Sequence, residues 1–228
     1  MELPKPSLSV LALIGANLVP LLGVLLLDWD AAVIVLLYWT ENVVIGFYNI
    51  LRMTLVKVDS PAFHLGKLFT IPFFCLHFGG FCALHGLFLL VFFDLGNGVE
   101  SLFPKGPWSG QLLILQLMRS VVTSLWRNHP EGMEWPVIFL FVSHGISFTQ
   151  NYLGKGEYAV WTVAKLMTQP YKRIVILHIT IIAGGVPIMM LGSPIPLLCI
   201  LVFLKLCVDI SLHIKEHKIR TDDKQMIR

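Results

Sequence analysis

The stretch AAVIVLLYWTENVVIGFYNILRMTLV, which runs from Ala31 to Val56, decides the fold class. A helix of about 20 mostly apolar residues crosses the hydrocarbon core of a bilayer, and this stretch has that length and composition. Lipid offers no partner to an unpaired backbone group, so a spanning segment of this kind must be helical. We therefore predict an all-α fold in which Ala31–Val56 is one spanning helix among several.

The composition of the whole chain agrees with that reading. Of its 228 residues 56% are hydrophobic and 14% are charged, and the mean hydropathy is +0.75. Soluble domains carry about a quarter charged residues, so one soluble core could not hold this much apolar surface. The net charge of +3 is small and its basic residues cluster between apolar runs, which disfavours a nucleic-acid partner and favours the lipid bilayer.

Outward from the opening stretch, further apolar runs of spanning length follow one another with short connections. The N-terminal run lacks the basic region and cleavage site of a signal peptide, so we predict that it is a spanning helix too. We predict a single transmembrane domain, residues 1–228, built as a polytopic bundle of six helices. The predicted spans are Ser7–Leu27, Ala31–Val56, Leu68–Phe93, Trp135–Leu153, Arg173–Leu191 and Ile195–His213.

One further apolar segment, Ser109–Trp126, either spans the membrane or lies at its surface. If it does not span, the basic residues after the second span, between the fourth and fifth, and after the sixth all fall on one side. Positive residues concentrate in cytoplasmic loops, so six spans with both termini in the cytoplasm fit best. Ser109–Trp126 is then an interfacial or re-entrant helix on the outer face, and Glu157–Met167 is a second interfacial helix inside.

Three ionisable side chains are predicted to reach a common depth in the bilayer. Glu41, His77 and His144 each lie near the middle of a different span. Two imidazoles and a carboxylate suit Zn or Fe and leave coordination positions open. His178 and Asp209 are predicted to lie closer to the cytoplasmic side. They are candidates for further ligands or for catalytic assistance. A b-type haem between the two histidines is disfavoured because no flanking signature supports it.

Other polar side chains inside the spans support a buried polar interior. The second span has a largely polar face at positions 38, 41, 45, 48, 49 and 52, and glycines 79, 80 and 86 allow another helix to approach the third span closely. Each lone histidine also has a simpler interpretation, a neutral imidazole that bonds across helices. The other buried polar candidates are Tyr38, Asn42, His85, Asn151, Lys205 and His213.

Two motifs carry a resemblance to a known family. The segment YWTENVVIGFYNILRM, residues 38–53, resembles the opening motif of a domain-of-unknown-function family of bacterial multi-pass membrane proteins, and PYKRIVILH, residues 170–178, resembles a later motif of that family. The resemblance covers nearly the whole chain. It implies a location in the bacterial inner membrane and implies no mechanism.

Three functions remain open on the sequence. The first is a membrane-embedded metalloenzyme that acts on an apolar substrate through Glu41, His77 and His144. The second is a transporter or proton-coupled carrier, with a relay that includes Glu41, Asp209 and His213. The third is a non-catalytic structural or partner-binding membrane protein, in which the glycines and the outer Ser109–Trp126 helix supply the interfaces. A homo-oligomer is also open.

Overall fold

The computed structural model describes residues 18, 21–57, 61–93, 111–129, 131, 133–191, 193 and 195–207. Every regular element in these residues is helical, which confirms the predicted all-helical class for this part of the chain. The chain divides into a larger unit, residues 32–181, and a smaller unit formed by residues 1–31 and 182–228. The candidate functional site lies entirely in the larger unit.

The described residues form eight α-helices. In chain order they are α1 (residues 21–26), α2 (Ala31–Leu55), α3 (Pro61–Phe92), α4 (Gln111–Arg127), α5 (Glu134–Ser147), α6 (Val163–Thr168), α7 (Tyr171–Leu191) and α8 (Ile195–Cys207). Helix α5 continues directly into a π-helix, Phe148–Gly154, and a 3₁₀ turn follows at Glu157–Ala159. Helix α3 begins well before the predicted start at Leu68, because proline is favourable in the first turn of a helix, where an N–H has no partner.

Glycines on α3 determine how closely α4 packs against it. A methyl group at Gly86 would lie 2.6 Å from Val121 Cγ1, and one at Gly80 would lie 3.3 Å from Ile114 Cγ2. Met118 occupies the space beside Gly79 in the same way. The close approach predicted from these glycines is therefore present, and the partner helix is the one that the sequence placed at the membrane surface.

The C-terminal end of α2 is the best-bonded part of the larger unit. The ammonium of Lys67, in α3, donates to the carbonyls of Thr54 and Val56 at 3.0 and 2.6 Å. These are two of the carbonyls that a helix end leaves without partners, so Lys67 caps α2. The Asn49 amide donates at 2.9 Å to the carbonyl of Leu166 in α6.

A buried apolar cluster lies beside these bonds. Its members come from α2, α3, α6 and α7, and burial of their side chains is the main favourable contribution to packing at this end. They are Met53, Val56, Phe74, Phe78, Cys82, Leu166 and Ile174.

The smaller unit contains α1, the end of α7 and α8. Leu197, Leu198 and Leu201 of α8 are buried, and Leu197 lies against Gly184 of α7, where a methyl group would come within 2.8 Å of its Cα. Trp29, which follows α1, packs its ring against Gly23 within α1. Two apolar helices thus pack through a small residue, as transmembrane helices commonly do.

Two helices in the described part of the chain are long and apolar enough to cross a membrane, Ala31–Leu55 and His64–Phe92. This criterion is one of length and composition, which a buried helix of a soluble protein also meets. The predicted count of six spans is not supported by the described residues. The fourth predicted span changes from an α-helix to a π-helix after Ser147, and most of the first lies outside the described residues.

Candidate functional site

A polar cavity of ≈ 190 Å³ lies between α2, the end of α5 and the start of α7. We call it the basic cavity because two arginines and a histidine line it, whereas no carboxylate of the described residues does. The lining residues are Ile45, Tyr48, Asn49, Arg52, His144, Ser147, Phe148, Gln169, Pro170 and Arg173. Four of these positions belong to the polar face that the sequence predicts on α2.

Tyr48 fixes α2 against α5 at one wall of the cavity. Its hydroxyl donates at 2.9 Å to the carbonyl of Phe141, and its ring stacks on that of His144 with centroids 6.3 Å apart. The hydroxyl fits because the facing residue is Gly145, where a methyl group would lie only 2.7 Å from the Tyr48 oxygen. The wall is therefore built by close packing and holds the imidazole in place.

The His144 imidazole presents its second nitrogen without a bond to the rest of the described chain. Nδ1 lies 2.9 Å from the Leu140 carbonyl, which only accepts, so Nδ1 carries a proton. Within the described residues Nε2 makes no hydrogen bond. A neutral His144 thus offers an acceptor at Nε2, and a protonated His144 offers a donor.

Arg52 lies at the end of α2 and is positioned by the π-helix. The Tyr152 hydroxyl donates at 2.7 Å to the Arg52 carbonyl, and the guanidinium carbon lies 5.3 Å from the centroid of the Tyr152 ring. Tyr152 is fully buried, so it is a rigid support. The buried Nε of Arg52 has no hydrogen-bond partner among the described residues. The contact with the Tyr152 ring thus holds the Arg52 guanidinium, while its Nε donor lacks a partner among the described residues.

Arg173 comes from the first turn of α7, just after the break at Pro170. Its Nη1 donates at 2.8 Å to Oε1 of Glu41, and the two side chains are 45% and 17% exposed. No acidic residue occupies this first turn, which instead contains Lys172 and Arg173. The N-terminus of a helix carries partial positive charge, so basic residues there are electrostatically unfavourable. An anion in the cavity would relieve that conflict.

The predicted metal ligands do not form a group in the structure. Glu41 binds Arg173, the exposed His77 shares a 2.7 Å hydrogen bond with the Tyr171 hydroxyl, and His144 bonds to its own helix. Across the described residues, no three His, Cys, Asp or Glu side chains are placed to hold a metal ion. Similar depth alone does not put residues of different helices on facing sides, and these three side chains contact different neighbours.

The other polar residues that the sequence singled out lie in different parts of the chain. Asp209 and His213 lie outside the described residues. The Asn42 amide donates at 2.8 Å to the carbonyl of Tyr38, and the Asn151 amide to the Ser147 hydroxyl at 3.3 Å. Lys205 lies near the end of α8, in the smaller unit.

His85, which is buried, and His178, which is half-buried, form a pair between α3 and α7. Nε2 of His85 lies 2.9 Å from Nδ1 of His178, so one nitrogen is the donor and the other the acceptor. His85 is fully buried, and its Nδ1 has no hydrogen-bond partner among the described residues. The simpler sequence interpretation, an imidazole that bonds across helices, applies to this pair.

Sequence reasoning missed the basic cavity because it counted Arg173 only as an indicator of topology. The signal was present in the segment Gln169–Arg173, where a proline break is followed by two basic residues at a helix start. Tyr152 gave no signal, because its role depends on the π-helix.

In the residues that the structure describes, fold and site define an all-helical protein with two candidate membrane-spanning helices and a basic cavity beside one of them. The chain belongs to the DUF6498 family, a family of unknown function, whose model matches residues 2–226. No curated protein and no solved structure matches the chain. The predicted resemblance to a family of unknown function over nearly the whole chain is thereby confirmed.

Proposed function

We propose that this chain is an integral membrane protein that binds an anionic group, a phosphate or a carboxylate, in the basic cavity. One observation supports the proposal above all others: Arg52, Arg173 and His144 line one small cavity that no carboxylate lines. Guanidinium groups form short, charge-assisted hydrogen bonds with both kinds of anion. The carboxylate of Glu41 accepts a hydrogen bond from Arg173 at 2.8 Å and does not line the cavity.

The surface of α5 supports the membrane location. No side chain described in α5 is buried, although the helix is strongly apolar. Its outward residues include Trp135 at 66% and Phe139 at 69% exposed. Soluble proteins rarely expose a continuous apolar surface of this kind, because water makes it costly. In a bilayer the same surface is solvated by lipid.

The clustering of basic residues supports the proposed orientation. The Lys57 N–H donates at 2.8 Å to the carbonyl of Tyr158, and Lys67 caps α2, so the segments with most of the basic residues meet at one end of the larger unit. By the positive-inside rule that end faces the cytoplasm. Six spans in the inner membrane, with both termini cytoplasmic, remain our proposal for the whole chain.

Titration with a simple anion tests the binding function. The protein is placed in nanodiscs of neutral phosphatidylcholine at low salt and titrated with inorganic phosphate in a calorimeter. We expect saturable binding that Arg52→Gln weakens about tenfold, which corresponds to the loss of one charge-assisted contact. Lys57→Gln is the matched control, since Lys57 lies at the same end and does not line the cavity. Absence of binding by the wild-type protein would refute the proposal.

A carrier of such an anion is the second candidate function, and the π-helix favours it. The α5 helix loses its α-helical pattern at Phe148, beside the cavity, and transporters often bind substrate where helices are discontinuous. Uptake of labelled phosphate into proteoliposomes is the test. Equal uptake by the wild type and Arg52→Gln would exclude this role while leaving binding intact.

The metalloenzyme hypothesis has less support than either, since Glu41, His77 and His144 have separate partners. Elemental analysis of protein purified without chelator is its direct test. A stoichiometric metal that is lost in His77→Ala would restore the hypothesis.

A further inference from the structure

We infer that the anion in the basic cavity is the phosphate of a membrane phospholipid, held with its acyl chains still in the bilayer. This inference rests on the proposed anion site and names the class of its ligand. Four features of the larger unit support it: the depth of the cavity, its size, the surface beside it and the number of its cationic groups.

The depth of the cavity matches that of lipid headgroups. Between Ala31 and Arg52 the helix rises by about 32 Å, at about 1.5 Å per residue. The hydrocarbon core of a bilayer is about 30 Å thick. If α2 crosses the bilayer, Arg52 therefore lies at the level of the phosphates. Arg173 lines the same cavity and also donates to Glu41, which lies nearer the middle of α2.

The size of the cavity suits a headgroup and excludes a whole lipid. Sites for drug-sized ligands measure about 300–1,000 Å³. The basic cavity has ≈ 190 Å³, so a small polar group fills it and a pair of acyl chains cannot enter. A lipid ligand must then leave its chains outside the protein.

The surface beside the cavity provides the place for those chains. Ser147 and Phe148 line the cavity, and their neighbour Ile146 is 50% exposed. Val142 and Leu153 are exposed on the same segment. A headgroup in the cavity thus has an apolar, lipid-facing helix directly next to it. A soluble phosphate ester would gain nothing from this surface.

The cationic groups predict which phospholipids bind best. Arg52 and Arg173 together carry two positive charges, of which Glu41 partly offsets that of Arg173, and the α7 N-terminus adds partial positive charge. A phosphodiester carries one negative charge and a phosphomonoester about 1.5 to 2 at pH 7. We expect phosphatidate to bind best, then phosphatidylglycerol, while phosphatidylcholine, whose choline is cationic, binds least.

Lipid competition measured by native mass spectrometry tests the inference. The full-length protein is released from nanodiscs of phosphatidylcholine with equal, minor amounts of phosphatidate and phosphatidylglycerol, and the retained lipids are counted. We expect about tenfold enrichment of phosphatidate over phosphatidylcholine, equivalent to 1.4 kcal/mol. Arg52→Gln and Arg173→Gln should each abolish most of that enrichment, and Lys57→Gln should preserve it.

A parallel titration with glycerol phosphate in phosphatidylcholine nanodiscs separates the two levels of the proposal. Retention of phosphatidate that Arg52→Gln removes, with weak binding of glycerol phosphate, supports a lipid ligand. Tight binding of glycerol phosphate without lipid enrichment overturns the lipid inference and leaves the anion site standing. If neither ligand binds, both the inference and the proposed function fail. Circular dichroism of each variant excludes unfolding as the cause.

Discussion

The Arg173 guanidinium donates a 2.8 Å hydrogen bond to the Glu41 carboxylate, and this bond joins the first turn of α7 to the middle of α2. It gives the acidic residue of a candidate membrane span a fixed cationic partner. Carboxylates inside a span are costly and usually have a partner or a function. Here the partner is one of the two arginines of the basic cavity, so Glu41 competes with any bound anion.

Removal of the Glu41 charge should strengthen anion binding. In Glu41→Gln the guanidinium of Arg173 loses its ionic partner, so more of its hydrogen-bonding capacity is available to phosphate. We expect the Kd for inorganic phosphate to fall by up to about tenfold, and stability to fall by about 1 kcal/mol or less because Arg173 is half exposed. Calorimetry and thermal unfolding measure the two effects. Glu131→Gln, an exposed carboxylate, is the control, and weaker binding in Glu41→Gln would show that the carboxylate positions Arg173.

The His85–His178 pair should show strong energetic coupling. A single replacement by leucine leaves a buried nitrogen without its partner, which costs about 1–3 kcal/mol. We expect the double variant, His85→Leu with His178→Leu, to lose clearly less stability than the sum of the two single variants. Unfolding in mixed micelles measures all four proteins. Strictly additive losses would mean that the 2.9 Å contact contributes nothing.

The connection between α4 and α5 should make stability depend on pH. His129 Nδ1 donates to the Trp126 carbonyl, and Nε2 lies 2.9 Å from Glu134 Oε1. The hydrogen bond to Glu134, together with the bond to the Trp126 carbonyl, raises the pKa of His129 above its ordinary value of about 6.5. The stabilisation is therefore fully present below about pH 6.5 and is lost as the pH rises through the raised pKa.

Thermal unfolding between about pH 5 and pH 9 should reveal this dependence. The Tm of His129→Gln should vary less with pH than that of the wild type, and the two should converge at the alkaline end. His64→Gln, which alters an exposed histidine, should follow the wild-type curve. A wild-type Tm that rises through this range would contradict the assigned protonation.

Two glycines of one helix should respond to the same substitution with opposite sign. Gly86 faces Val121 and Trp39 closely, so the added methyl group of Gly86→Ala forces α4 outward and costs about 1–3 kcal/mol. Nothing lies within 4 Å of the corresponding position at Gly66, so Gly66→Ala should stabilise α3 by about 0.5–1 kcal/mol. Thermal unfolding of both variants is the measurement. Equal effects would show that α4 does not pack as described.

Periodicity and composition predicted the fold class well and the site poorly. The polar face of α2 follows from helical spacing alone, and its residues Tyr48, Asn49 and Arg52 line the cavity. The metal centre is not supported by the described residues, because spacing gives the depth of a residue in its helix and leaves the rotation of each helix unknown. His77 faces Tyr171 and His144 faces Tyr48, and neither orientation can be obtained without the packing.

The sequence-based count of spanning helices is uncertain for a different reason than the metal site. Hydropathy scores a segment without regard to its hydrogen-bond pattern, so Trp135–Leu153 reads as one uniform helix. In the structure its second part is π-helical, and that change places Tyr152 under Arg52. The residue types of Phe148–Gly154 do not predict π-helical hydrogen bonding.

That π-helix has a consequence for the length of the chain. Each of its turns contains more residues than an α-helical turn, as though one amino acid had been inserted into α5. Deletion of a single residue within Phe148–Gly154 would let the segment relax to ordinary α-helical geometry and would move the side chains inside it to new positions around the helix. Tyr152 would then leave the Arg52 carbonyl. Family members that keep this arginine should accordingly keep the same number of residues here, whatever side chains they substitute.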